Sequence, residues 1–146
     1  MIRQAGPGDA FRIYAVMNGN LDDYFAQEVI EFFLAQWPTG QFIAEDIFGN
    51  TEGALCGSRL SNGRVSVSLL AVDASKRGRG IGTSLLDSFK RRCFMEGHSL
   101  IQLEVRVGNP KAIGFYRRNG FEVSEHLPGF YSDSTDAYRM VCRLSG

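Results

Sequence analysis

An apolar strand that runs through three glycines and three cations into an amphipathic helix leaves a chain few ways to fold. Residues 72 to 86 read VDASKRGRGIGTSLL. Val72 closes the apolar run LLAV, and Lys76, Arg77 and Arg79 are interleaved with Gly78, Gly80 and Gly82. From Ile81 onward apolar residues return at helical spacing, at Ile81, Leu85, Phe89 and Cys93 with Leu86 beside them. The start of a helix presents backbone N–H groups with no intrahelical acceptor, and the helix dipole adds partial positive charge there. Glycines leave the approach open and the cations add full charge, so the segment suits a phosphate or diphosphate. The spacing GxxxxGK[ST] of a P-loop is not met, because no lysine stands at the required place. The dinucleotide pattern GxGxxG, read from Gly80, fails at Leu85. What remains is R-x-x-G-x-G, met by Arg77, Gly80 and Gly82.

The flanking pattern defines the fold class. Residues 1 to 5 read as a short edge strand, and Asp9 as the cap of a helix ending near Met17. Residues 24 to 36 are helical in period, with Phe25, Val29, Phe32 and Phe33 as the apolar face, and Trp37 packs this helix on the sheet. Three strands follow, over 41 to 47, 53 to 59 and 65 to 72. The third alternates at Val65, Val67 and Leu69 and then turns apolar on both faces, which reads as a strand passing from sheet edge to buried centre. The helix after the glycine segment ends at Gly97, with Lys90, Arg91 and Arg92 as its solvated face. A strand over 100 to 105, a helix with Asn109 as cap and Pro110 as first residue, and strands over 121 to 125 and 137 to 143 complete the order β-α-α-β-β-β-α-β-α-β-β. This predicts an α/β (α+β) fold, with a mixed central sheet of about seven strands and helices on both faces, formed as one domain over residues 1–146.

Bulk properties narrow the function. The formal net charge of the 146 residues is zero, which argues against a nucleic-acid partner. Cys56, Cys93 and Cys142 form no CxxC or Cys/His cluster, so no metal is expected, and free thiols fit a reducing compartment. MIRQAGPGDA carries no apolar run of the signal-peptide kind, and no apolar run approaches the ~20 residues of a membrane span. The expectation is a cytoplasmic protein with no membrane partner, as monomer or homodimer.

The R-x-x-G-x-G segment resembles the diphosphate loop of the GNAT superfamily of acetyl-CoA-dependent N-acetyltransferases. A second stretch, LEVRVGNPKAIGFYRRNGF (103 to 121), resembles that superfamily's signature N-x-x-A-x-x-x-Y-x-x-x-G-F, met by Asn109, Ala112, Tyr116, Gly120 and Phe121. LEVR, and the FYSDSTDAYRM that follows, look like the ribosomal-protein-alanine and amino-terminal acetyltransferases. A weaker likeness, NLDDYFAQEVIEFFLAQWPTGQFIAED (20 to 46), covers the first half. Asp22, Asp23 and Tyr24 stand there where the relatives have Pro, Glu and Asn.

The resemblance implies the GNAT fold and direct attack of a neutral amine on the thioester of acetyl-CoA. It assigns the cofactor to backbone groups of Leu70, Ala71 and Val72, with the Val72 N–H as oxyanion donor, to Arg77, Gly78, Arg79, Gly80, Ile81, Gly82 and Thr83 for the diphosphate, and to Asn109. It assigns Glu104 as proton acceptor and Tyr116 as proton donor beside the cofactor sulfur. It assigns Asp23, Tyr24 and Tyr131 to the acceptor, with Asp22 as a further candidate or a helix cap. The implied acceptor is a protein or peptide N-terminus. An α-amine titrates at about 8 and a lysine at about 10.4, so at neutral pH deprotonation costs about 1.4 kcal/mol for the first and roughly 4–5 kcal/mol for the second. Carboxylates without a well-placed histidine suit the easier substrate. A lysine or small-molecule amine is the alternative acceptor, and a non-catalytic acyl-CoA-binding module the remoter alternative.

Overall fold

A computed structural model describes residues 1–21 and 23–145. Seven strands form one sheet: β1 (Ile2–Gln4), β2 (Gln41–Glu45), β3 (Thr51–Arg59), β4 (Val65–Val72), β5 (Leu100–Arg106), β6 (Glu122–Leu127) and β7 (Ala137–Arg143). Their order is β1-β2-β3-β4-β5-β7-β6, and only β4 and β5 run parallel. The helices are α1 (Ala10–Asn20), α2 (Gln27–Gln36), α3 (Ile81–Met95) and α4 (Pro110–Arg118). A mixed seven-stranded sheet with helices on both faces, in the expected order, is what forms.

Two cores flank the sheet. Leu85, Leu86, Phe89 and Cys93 of α3 pack on Leu55, Val65, Val67, Ile101, Leu103 and Met140, with the inner face of α4 against the same cluster. Phe89 sits edge-on to both Trp37 and Phe42. Burying a ring of this kind contributes about 1.5–3 kcal/mol. Gly57 makes room for it, since a Cβ there would lie 2.4 Å from the ring. On the other face, Ile13, Val16 and Met17 of α1 and Ile30 and Leu34 of α2 cover Ile43, Ala54, Cys56, Leu69 and Ala71. All three cysteines are free and buried, and burial pushes the Cys56 and Cys93 thiols up to about 12.

Several expectations change. The buried stripe of α2 centres on Ile30 and Leu34, with Phe33 and Phe25 at its border, while Val29 and Phe32 face outward. Trp37 crosses to the α3 side, where its indole N–H donates to Glu96 at 3.1 Å. Lys90 is only partly solvated: it donates to the Asn119 carbonyl and lies over the Phe121 ring at 5.6 Å.

The largest revision concerns β4. Cys56 pairs with Leu69 but the next residue, Gly57, pairs with Val67, so Ser68 is an extra residue in the strand. One inserted residue inverts the alternation of faces and bends the strand. Val65 and Val67 therefore share the α3 face with Leu70 and Val72, while Leu69 and Ala71 turn to α1 and α2. The apolar run at LLAV records this inversion and not a passage from edge to centre; β4 is the middle strand throughout. At the same place β4 parts from β5, with which it pairs only at Val65–Ile101 and Ser66–Gln102.

Asp9 precedes α1 but makes no side-chain cap. Its carboxylate is held by the two terminal nitrogens of Arg3, each at 2.8 Å, and by the Gly6 N–H at 2.8 Å. Arg3 is the main reason that Asp9 titrates at about 2 instead of 3.8, with burial opposing. A depressed carboxylate stabilises the fold above its unfolded pKa and loses that contribution as pH falls toward its folded one. Asp9→Asn should thus cost on the order of 1–2 kcal/mol at neutral pH, given the half-exposed Arg3. Thermal melts of variant and wild type should converge as pH falls from 3.8 toward 2; a constant gap would mean that the charge on Asp9 is not what stabilises this corner.

Candidate active site

The parting of β4 and β5 leaves a gap in the middle of the sheet, and the register shows what faces it. Asp73 N–H donates to the Glu52 carbonyl at 2.8 Å, so Gly53 and Val72 form a pair that does not exchange hydrogen bonds. The amides of such a residue point away from its partner. The N–H of Val72, and by the same alternation that of Leu70, is therefore directed into the gap. The Val72 carbonyl accepts from Arg77 Nε at 3.2 Å.

Beside the gap, a cleft of about 890 Å³ lies between the start of α3 and α4. Leu70, Ala71, Val72, Arg77, Gly78, Gly80, Ile81, Gly82, Thr83, Asn109 and Tyr116 all line it. Of the residues expected around the cofactor, only Arg79 does not. The glycines serve two different needs. Gly78 and Gly80 adopt φ of +79° and +78°, and nothing lies within 4 Å of where a Cβ would sit. Gly82 has ordinary helical backbone, but a Cβ there would meet the Phe115 ring at 3.0 Å, so it lets α3 close on α4. The first amide of α3 to find a helical acceptor is Ser84, bonded to the Gly80 carbonyl at 2.9 Å. The amides of Ile81, Gly82 and Thr83 come before it and have no intrahelical acceptor. Such a helix mouth, open and edged by Lys76 and Arg77, fits a diphosphate.

Arg77 is also a splint. Beyond its bond to Val72 it reaches the backbone carbonyl of Asn20 at 3.4 Å, and Asn20 Oδ1 accepts from the Ala74 N–H at 2.9 Å. The loop is thereby fastened to the ends of both β4 and α1. Asn109 caps α4, accepting the Ala112 N–H at 3.1 Å, while its residue also lines the cleft. Lys111 and Arg118 add charge on the α4 side and were not expected. They stand at helical spacing with Phe115, a pattern that could have placed them there.

Tyr116 lines the cleft with its ring against Phe115 and Phe121. Burial, reinforced by Tyr131, pushes its phenol well above the ordinary value. Tyr131 adjoins a charged group on the opposite side of the gap. Burial holds its phenol above the usual value; Arg106 opposes this, and the carboxylates of Glu104, Asp23 and Asp133 add to it. Glu104 faces away from the buried Leu103 and Val105 and is held by Arg139 Nε at 2.9 Å and Gln102 Nε2 at 3.1 Å. Asp23 joins this group through Arg106. Tyr24 does not: it is exposed, with its hydroxyl 3.3 Å from that of Tyr14. Asp22 lies outside the described residues. The arrangement sets a cleft edged by helix amides and cations against one side of a sheet opening and a carboxylate–phenol cluster against the other. Among the described residues no His/Cys/Asp/Glu group could hold a metal ion, and no helix is long and apolar enough to cross a membrane.

Comparison with known proteins adds independent findings. The model of a family described as Acetyltransferase (GNAT) family matches residues 11–121. The N-alpha-acetyltransferase 30 of Schizosaccharomyces pombe is 32% identical over 136 residues, covering 88% of this chain and 88% of that protein. The crystal structure of Ard1 from Thermoplasma volcanium superposes with a TM-score of 0.92 at 32% identity, over 100% of this chain and 98% of that one. A NatC complex bound to a Gag peptide and CoA shares the fold, with a TM-score of 0.89 at 24% identity over 99% and 98% of the two chains.

The glycine mouth yields a paired test. A Cβ on the left-handed Gly80 costs about 1–2 kcal/mol in strain and intrudes on the cleft, so Gly80→Ala should lower the melting temperature and weaken CoA binding about tenfold or more. Arg79→Ala, outside the cleft, should leave CoA affinity within about threefold, as exposed charges do. Calorimetric titration with CoA measures both; equal losses in the two variants would contradict this geometry.

Proposed function

The chain belongs to the acetyltransferase (GNAT) family, and on that premise we propose that it acetylates the α-amine at the N-terminus of a protein or peptide. It is an acetyl-CoA-dependent N-acetyltransferase. The opening between β4 and β5 carries the proposal, because it lets a co-substrate on the α3–α4 side and an acceptor on the Glu104 side meet through the sheet. Relatives named for N-α-acetylation support the choice of acceptor.

Acetyl-CoA supplies an activated acyl group as a thioester. The amides of Ile81, Gly82 and Thr83, with Lys76, Arg77 and Lys111, hold the diphosphate end, and Asn109 and the rim of β4 hold the arm. The Val72 N–H, aimed into the gap, stabilises charge that builds on the carbonyl oxygen. Glu104 accepts the proton that the amine gives up as it bonds to carbon, and Arg139 and Gln102 fix the carboxylate in position. Tyr116 returns a proton to the sulfur as the carbon–sulfur bond breaks. Its phenol, which burial raises further above its ordinary value, carries the proton to be donated. Tyr131 packs beside the acceptor's first residues.

General acid or base groups of this kind contribute about 10²–10⁴-fold in rate. Glu104→Gln should lower kcat by that order at neutral pH and change the pH–rate profile. Tyr116→Phe should lower kcat while leaving CoA affinity nearly intact. The acceptor is tested with peptides whose α-amines are free or blocked. Acetylation should require the free α-amine, and activity confined to blocked, lysine-containing peptides would overturn the choice of acceptor. CoA binding without turnover on any amine would point instead to a sensing module.

A further inference from the structure

We propose that Arg106 is a positioning residue that ties together the α1–α2 segment and the β6–β7 loop, which carry Asp23 and Tyr131, and so sets how tightly the acceptor is held. Arg106 is the last residue of β5 and points to the same face as Gln102 and Glu104. Its guanidinium lies over the Tyr131 ring, 4.0 Å from the centroid. One terminal nitrogen bonds both oxygens of Asp133, at 3.2 and 3.1 Å, and the Thr135 hydroxyl. The other lies 3.4 Å from each oxygen of Asp23. A single side chain thus connects the α1–α2 segment, the β6–β7 loop and the end of β5. Among the described residues no other side-chain hydrogen bond joins that segment to that loop.

The two attachments are unequal. Asp133 is itself fixed by the Thr135 N–H at 3.0 Å and hydroxyl at 2.6 Å, so the β6–β7 side is anchored. Asp133 and Asp23 are equally exposed, but Asp23 is held only at the longer distance, so the α1–α2 segment is the side that the tie draws in. The task needs an arginine, because a flat fork can bond two carboxylates while stacking on a ring, and a lysine ammonium is a point charge that cannot. Exposed ion pairs add little to global stability, so the effect falls on the local order of the two segments and on acceptor binding. Its meaning for catalysis rests on the assignment of Tyr131 to the acceptor side.

The test compares wild type, Arg106→Gln and Arg106→Lys. Amide hydrogen exchange should quicken together over residues 23–26 and 129–135 in Arg106→Gln, with the start of α3 unchanged. For a peptide that the wild type acetylates, the acceptor KM should rise about tenfold, with kcat within about twofold and the acetyl-CoA KM unmoved, as expected when binding must first order two segments. Arg106→Lys should fall between the two. Unchanged exchange in either segment, or a loss of kcat at constant acceptor KM, would overturn the proposal. If no N-terminal peptide is a substrate of the wild type, the preceding choice of acceptor fails on its own, and the exchange comparison still decides whether the tie exists.

Discussion

The structure depends on the parting of β4 from β5 after Ser66. A parallel pair in mid-sheet would ordinarily satisfy every backbone group along its length. Here Ser68 is an added residue that bends β4 and reverses which face its side chains take. The inversion lets Leu70 and Val72 join the α3 core while their amides turn toward an opening. Without that bend β4 would complete the ladder with β5, and the glycine segment would lead into a helix with nothing to act on.

Each side of the opening has its own electrostatics. The α3–α4 side is cationic and open: unpaired helix amides, two left-handed glycines, and Lys76, Arg77, Lys111 and Arg118 around them. The opposite side pairs its charges internally, Glu104 with Arg139 and Arg106 with Asp23 and Asp133. The cationic side suits a polyanion, and the internally paired side offers no comparable excess of positive charge. Tyr116 lines the first side and Tyr131 adjoins the second, and burial raises both phenols above their ordinary value.

The sequence carried much of this wherever chain-local spacing encodes the structure. The glycine segment, the Asn109–Pro110 start of α4 and the periodicity of α3 are contiguous patterns, and the order of elements along the chain followed from their alternation. Features that depend on pairing between distant segments were not legible. The LLAV run could not reveal that Ser68 reverses the faces, because a bulge is defined by its partner strand. Asp9 reads as a cap until Arg3, on a neighbouring strand, claims its carboxylate. Lys90 reads as solvated until Asn119 supplies a carbonyl. Arg106 sits in the conspicuous LEVR stretch, yet its partners lie 83 and 27 residues away, out of reach of any local pattern.

The most direct test is a crystal structure of the protein with acetyl-CoA. It should show the diphosphate oxygens bonded by the amides of residues 81 to 83, and the thioester carbonyl oxygen facing the Val72 N–H within the opening between β4 and β5. A diphosphate seated away from the start of α3, or an acetyl group outside that opening, would contradict the account at its root.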